Sequence, residues 1–146
     1  SICMAGTRDP IMIENIDSIL DEVKKQVNES LYNERIIGNI HFHVYGRNAV
    51  MGAMEPIKKG SSHELGILIE AIGSTEEDAA TICSITRSTL LHYGYKGRIS
   101  TAGNLAFPFS PSDINVGEIY EFSMYHLMKL ESQSLFKLKT FNIKNS

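Results

Sequence analysis

Two helix-forming segments, each preceded and followed by strand-forming segments, place the strongest constraint on how this chain can fold. The first helix is predicted over residues 10–31, because apolar residues recur there at spacings of three and four and form one face of an amphipathic helix. Asp9 is predicted to cap its N-terminus. The second helix is predicted to begin after a capping Ser74, with Glu77 three residues on, and to end before Gly94.

Strands are predicted where β-branched and aromatic residues alternate with polar ones or form a short apolar run. These segments are residues 2–6, 40–45, 65–72 and 118–130, with residues 135–143 as a further edge strand. The resulting order is the ferredoxin-like βαββαβ arrangement, an α+β fold with an antiparallel sheet and both helices on one face. We therefore predict one domain over residues 1–130 and a C-terminal extension or edge strand over residues 131–146.

The composition excludes several classes of protein. The 146 residues carry a net charge of −3 at pH 7, so no nucleic-acid partner is expected. No apolar run approaches the roughly 18 residues that cross a membrane, so no membrane partner is expected either. Cys3 and Cys83 lack metal-binding spacing and are predicted to be buried thiols of a cytoplasmic protein. Because the chain opens directly on a strand at Ser1, we expect it to be a piece of a longer protein.

Chain direction brings three connections to one end of the predicted fold, which we call the loop end. They are residues 7–10, 46–63 and 94–117. Two of them are longer than about 12 to 15 residues, the length beyond which loops in compact domains are usually functional or disordered. They also contain apolar residues, which argues against disorder. Each connection contains one arginine: Arg8, Arg47 and Arg98, respectively.

Segments of the two long loops resemble a known protein family. They are YGRNAVMG at residues 45–52 followed by Glu55-Pro56, HELG at residues 63–66, and GRISTAGNLAFPFSPSD at residues 97–113. Over about residues 2–130 the chain resembles the C-terminal portion of the acyclic terpene utilisation AtuA family. The resemblance implies a bacterial protein in which a larger N-terminal domain precedes a smaller ferredoxin-fold domain. It also implies a role in breaking down acyclic terpenes through CoA thioesters, and it supplies no catalytic residues.

The arginines define the predicted ligand or docking site. Arginine forms paired hydrogen bonds with carboxylates and phosphates, and backbone N–H groups near glycines can bind the same anion. No cofactor is expected beyond CoA or a CoA ester as a ligand. The site comprises Arg8, Asp9, Arg47, Asn48, Glu55, His63, Glu64, Arg98, Ser100, Thr101, Gly103, Asn104 and Asp113. In the alternative, the arginines pair with Asp9, Glu55, Glu64 or Asp113 and only hold the loops together.

Two other chemistries have weaker support in the sequence. His41 and His43 would share one strand face and could bind zinc with His63 or Glu64, but His-x-His is common by chance and no metal site is predicted. The hydroxyl groups near the loop glycines lack the glycine-x-serine-x-glycine elbow of a nucleophilic serine, so no catalytic serine is predicted.

Three functions remain compatible with the sequence. In the first, this is an accessory domain whose loop end binds the larger N-terminal domain or a second copy, through apolar residues such as Met51, Met54 and Phe107, and also an anionic metabolite. In the second, it is an enzyme domain for acyl-CoA or terpenoid carboxylate substrates. The residues lining that active site would be Arg47, Glu55, His63, Arg98, Asn104 and Asp113. In the third, it is a small-molecule sensing module. An enzyme requires a concave pocket at the loop end, whereas a docking domain requires a flatter apolar surface there.

Overall fold

The computed structural model describes residues 1–57, 62–99, 104–129 and 139–141. Strand β1 spans Ile2–Thr7 and is followed by a short helix α1 at Pro10–Glu14 and a long helix α2 at Ile16–Glu34. Strand β2 (Gly38–Tyr45) and strand β3 (Leu65–Gly73) come next, with one 3₁₀ turn at Gly52–Met54 between them. Helix α3 spans Glu76–His92, and a two-residue strand β4 is formed by Asp113–Ile114.

The four strands form one antiparallel sheet in the order β2-β3-β1-β4, so the predicted α+β class is confirmed. Thr7 pairs with Leu65, and Tyr45 pairs with Gly66. The ends of β1 and β2 therefore lie beside the start of β3, at the predicted loop end. Within the described residues, no helix is long and apolar enough to cross a membrane.

The hydrophobic core lies on one face of this sheet. Alternate residues are buried along β1 and β3, among them Cys3, Ala5, Ile67 and Ile69, because successive strand side chains point to opposite faces. The buried stripes of α2 and α3 belong to the same cluster. On the opposite face, which we call the open face, Met4, Leu68 and the other alternate residues stay partly exposed.

Both helix boundaries differ from the sequence prediction in detail. The predicted helix over residues 10–31 divides at Asn15, whose side-chain amide donates a hydrogen bond to the Ile11 carbonyl, and α2 continues to Glu34. Helix α3 is capped by Thr75 rather than by Ser74, because the Thr75 hydroxyl accepts the backbone N–H of Asp78. Both changes shift an element boundary and leave the element order intact.

The predicted strand over residues 118–130 is wrong. Residues 118–129 form no helix or strand and are exposed, and Asp113–Ile114 instead pairs with the start of β1. The alternation of apolar and polar residues could not show that an earlier segment would occupy this edge of the sheet. A segment forms a strand only where a neighbouring strand has an unpaired edge. Most of the predicted edge strand at 135–143 lies outside the described residues.

The β4 edge of the sheet is irregular. Gly6 bridges Ala106, and Cys3 pairs with Asp113, so three steps along β1 correspond to seven steps along the neighbouring segment. Four residues therefore bulge out of the edge between these two contacts. Phe107 lies in this bulge, where it packs against the hydrophobic core and also lines the candidate site at the loop end.

Candidate ligand-binding groove at the loop end

Two glycines facing each other form the floor of a groove on the open face. Gly6 of β1 pairs directly with Gly66 of β3, and Gly66 pairs with Tyr45 of β2. A Cβ atom added at Gly6 would meet only the Ala106 and Leu65 carbonyl oxygens, at 3.8 and 3.9 Å. The sheet surface is therefore open at Gly6, whereas at Gly66 the Met4 side chain lies over the strand, with its Cε 2.8 Å from where a Cβ atom would stand. Glycine inside a strand often marks a place where a ligand or another backbone approaches closely.

The groove walls combine one cation, one carboxylate, an amide and apolar groups. Its cavity volume is about 730 Å³, and the lining includes Arg8, Glu64, Asn104, Tyr45 and Phe107. Arg8 follows β1 directly and is exposed, whereas Asn104 and Phe107 are half-buried. Arg8, Glu64 and Asn104 are thus the predicted site residues that the structure brings together around one cavity.

Arg47 and Asn48 belong to a different surface. The Arg47 guanidinium Nη2 lies 2.7 Å from Asp17 Oδ2, which ties the turn after β2 to the start of α2. Asn48 donates its backbone N–H to the Val44 carbonyl at 3.2 Å and lines a second groove, between α2 and β2. Chain direction therefore brings Arg47 to the loop end, but its side chain points to the helix.

The Arg98 side chain contacts two backbone carbonyl groups and an aromatic ring. Its Nη1 donates to the Tyr93 carbonyl at 2.5 Å and its Nη2 donates to the Leu91 carbonyl at 2.9 Å, so the guanidinium caps the C-terminal end of α3. The Tyr95 ring lies beneath it, 5.9 Å from guanidinium to ring centroid. Arg47 and Arg98 thus hold loops in place, as the alternative predicted. Their partners are Asp17 and backbone carbonyl groups, however, and not the predicted acids.

Asp9 and Tyr95 form a hydrogen-bonded pair beside α1. The Tyr95 hydroxyl donates to Asp9 Oδ2, and Asp9 Oδ1 accepts the Ile11 backbone N–H at 2.9 Å as a helix cap. Burial opposes the charge on Asp9, but the Tyr95 hydroxyl and the backbone donors outweigh it and lower the pKa of Asp9 below its usual value. Burial, followed by the hydrogen bond to Asp9, raises the pKa of Tyr95 to about 12.

The remaining predicted residues lie apart from the groove or outside the described residues. Glu55 accepts the Ile57 backbone N–H at 2.9 Å within its own loop, and His63 is exposed beside Glu64. Asp113 pairs with Arg87 of α3, Nε to Oδ1 2.6 Å, near the start of β1 and thus at the other end of the sheet. Ser100, Thr101 and Gly103 fall outside the described residues.

The histidines and cysteines have local partners. His43 Nε2 lies 2.9 Å from Glu70 Oε2 on the open face, and the part of the chain that the structure describes contains no cluster of three possible metal ligands. Cys3 and Cys83 are buried. Burial first, and then the Asp113 carboxylate, raises the pKa of Cys3 to about 12 and that of Cys83 to about 11. Both thiols are therefore weak nucleophiles in the folded protein.

Sequence reasoning missed three residues of the groove, Gly6, Gly66 and Tyr45, and predicted Phe107 only as an apolar docking residue. Tyr45 and Gly66 belong to the segments that carry the family resemblance, but the facing of Gly6 and Gly66 depends on the strand register, which the sequence does not show. No family model, curated protein or solved structure matches the chain. Membership of the AtuA family therefore stays a prediction.

Proposed function

We propose that this chain is an accessory binding domain of an AtuA-like protein, with its ligand site in the groove at the loop end. The observation that carries the proposal is the Gly6–Gly66 floor, which is open at Gly6 and lies in a cavity lined by Arg8, Tyr45 and Phe107. We also propose the ferredoxin-like arrangement for the fold, and the strand order β2-β3-β1-β4 with helices between β1 and β2 and between β3 and β4 supports it.

The groove lining favours an anionic ligand with an apolar portion. Arg8 is exposed at the rim and can form paired hydrogen bonds with a carboxylate or phosphate. Tyr45 and Phe107 offer apolar contact on opposite sides of the glycine floor. A terpenoid carboxylate or an acyl-CoA combines these two features. CoA itself lacks the apolar portion, and we expect it to bind more weakly.

The larger N-terminal domain is the proposed macromolecular partner at the same end of the fold. The loop after β2 exposes Val50, Met54 and Ile57 with 87%, 77% and 70% of their surface accessible. A run of large apolar side chains this exposed is typical of a protein interaction surface. This loop and the groove would then be covered together when the two domains associate.

An enzyme domain acting on acyl-CoA or terpenoid carboxylate substrates is the second candidate. Glu64 supports it, because this carboxylate lines the same groove as Arg8 and Asn104 and would lie near a bound acyl group. A sensing module would use the same groove without turnover. Incubation of the protein with an acyl-CoA, followed by measurement of free thiol and free acid, distinguishes the enzyme from both binding functions.

The proposal is tested by thermal unfolding in the presence of CoA, acyl-CoAs and terpenoid acids. A ligand that binds the folded state stabilises it by about 2.7 kcal/mol at 100 times its Kd, which raises the melting temperature by several degrees. We expect Gly6→Val to abolish this shift, because its side chain would fill the groove floor while suiting a strand. Arg8→Ala should remove the shift for anionic ligands.

Two control variants make this test specific. Gly94→Val adds the same side chain at a position where a Cβ atom meets nothing within 4 Å, and Lys25→Ala removes a cation from an exposed position on α2. Both should retain the full ligand-induced shift. No shift with any of these ligands, or shifts that Gly6→Val leaves unchanged, would refute binding in the groove.

A further inference from the structure

Among the described residues, strand β2 forms an edge of the sheet that carries none of the usual protection against pairing. It is the last strand in the order β2-β3-β1-β4 and pairs with β3 along all eight residues without a bulge. Its sequence GNIHFHVY contains no proline, lysine, aspartate or glutamate. Natural proteins usually protect such an edge with short strands, charges, prolines or bulges, because its backbone groups otherwise template pairing with another chain.

A groove runs along this edge between β2 and α2. It has a volume of about 340 Å³ and is lined by His41, Phe42 and His43 of the strand and by Asp21 and Lys24 of the helix. Phe42 is only partly buried, although Ile40 and Val44 beside it on the same strand face are buried. The helix-side face of the sheet therefore remains incomplete at Phe42, and an additional strand beside β2 would complete it.

We propose that a second copy of this chain pairs with β2 through its own β2, antiparallel and about a twofold axis. Because the pleat alternates, residues on the same face must face each other, which restricts the register. With Phe42 opposite Phe42 of the second copy, Ile40 faces Val44 and His41 faces His43. Apolar side chains then meet on the helix side, and the two four-stranded sheets join into one of eight strands.

The charges on α2 fit this twofold arrangement. Its edge-facing side carries Asp17 and Asp21 in the N-terminal half, followed by Lys24. Asp17 is already paired with Arg47, whereas no ion pair of Asp21 or Lys24 occurs among the described residues. An antiparallel neighbour places Lys24 of the second copy near Asp21, twice per dimer. The pattern is therefore self-complementary, as a twofold interface requires.

Sedimentation equilibrium of the whole chain tests the proposal, and we expect a reversible dimer. Asp21→Lys replaces two attractions by two repulsions and should weaken dimerisation roughly tenfold or more. Lys24→Asp should do the same, and the double variant Asp21→Lys/Lys24→Asp should restore the wild-type Kd. Glu22→Lys changes the charge by the same amount on the opposite flank of α2 and should leave the Kd unchanged.

Hydrogen exchange identifies the surface that forms the dimer. Amides of β2 should gain protection as the protein concentration rises, and His41→Lys, which adds a charge to the edge, should remove that gain while the fold persists. Gly6→Val should leave dimerisation intact, because the ligand groove is a separate surface. The dimer and the proposed ligand binding can therefore fail independently.

Three outcomes would overturn the proposal. The first is a monomer at every concentration up to about 100 µM, since an interface that weak would not be specific. The second is a dimer that the charge reversals leave unchanged. The third is concentration-independent protection of β2 that disappears when the chain is truncated after Asn115, which would show that the exposed residues 116–129 cover the edge within one molecule.

Discussion

The two edges of the sheet differ in the regularity of their backbone pairing. The β2 edge is regular: eight residues follow an unbroken register with β3, and the strand extends from Gly38 to Tyr45. The β4 edge consists of Asp113–Ile114, a single bridge at Ala106, and four bulged residues between them. Pro108 and Pro111 lie in or beside that bulge and cannot donate to a ladder, so this edge cannot extend the sheet.

This difference shows how edge geometry determines what a surface can bind. The bulged edge places residues such as Ala106 and Phe107 along the ligand groove and so forms one of its walls. The regular edge leaves its backbone groups in line and so suits another strand. The bulged edge depends on side-chain bonds that fasten it to the helices, whereas the regular edge depends on close backbone packing. Substitutions at Gly38, Asp113 and Arg47 test this contrast, and a substitution at Tyr95 tests a side-chain bond that belongs to neither edge.

The largest effect is expected at the start of the regular edge. A Cβ atom at Gly38 would overlap the Ile72 carbonyl oxygen and Cδ1 of the buried Ile82. Because both neighbours are held by the sheet and the core, Gly38→Ala should lower the free energy of unfolding by about 3 kcal/mol, measured by urea denaturation. Gly6→Ala is the control, since its Cβ would have only ordinary contacts. A similar loss in both variants would mean that the regular edge is not closely packed.

Removal of the ion pair that fastens the bulged edge should have the next largest effect. Arg87 Nε lies 2.6 Å from Asp113 Oδ1, and both side chains are about three-quarters buried, at 26% and 23% exposure. Asp113→Ala leaves a largely buried guanidinium without this partner and should cost about 2 kcal/mol by urea denaturation. Hydrogen exchange at the Gly6–Ala106 bridge should accelerate in the same variant.

The isosteric variant Asp113→Asn separates charge from shape at this position. Asp113→Asn keeps an acceptor for Arg87 but loses the negative charge. It should therefore lower the free energy of unfolding by less than Asp113→Ala does. If Asp113→Ala left both stability and exchange unchanged, the two paired residues of β4 would suffice to hold the bulged edge.

The Tyr95–Asp9 hydrogen bond, which holds the loop after α3 against α1, should contribute less. Tyr95→Phe should lower the free energy of unfolding by about 1 kcal/mol at pH 7. The pKa of Tyr95 is raised in the folded state from 10.0 to about 12, so the phenol stabilises the fold below pH 10. This contribution disappears as the pH rises from 10 to 12.

The difference in stability between the wild type and Tyr95→Phe should therefore narrow over that pH range, as measured by denaturant unfolding at each pH. Tyr32→Phe is the matched control, because Tyr32 is 83% exposed on α2 and its substitution should give no such pH-dependent difference. A Tyr95→Phe difference that stays constant up to pH 12 would contradict a folded-state role for the protonated phenol.

The helices and strands could be predicted from the sequence more accurately than the contacts between them. The helices and the first three strands could be predicted from local periodicity. In α2 and β3 the residues that form the apolar pattern of the sequence are also the residues that are buried in the structure. The Gly6–Gly66 floor could not be predicted, since it depends on the register between segments 60 residues apart. The arginines reached the loop end as chain direction predicted, but local partners such as Asp17 set their side-chain directions.

The smallest effect is expected at the ion pair of the regular edge. Arg47 and Asp17 are 2.7 Å apart, but the Asp17 side chain is 63% exposed, so water screens the attraction. Arg47→Ala should cost no more than about 0.5 kcal/mol in urea denaturation. A double-mutant cycle with Asp17→Ala should give a coupling energy of similar size that decreases further in high salt. A loss as large as that of Asp113→Ala would show that both edges rely on side-chain bonds, and the contrast between a packed edge and a fastened edge would then fail.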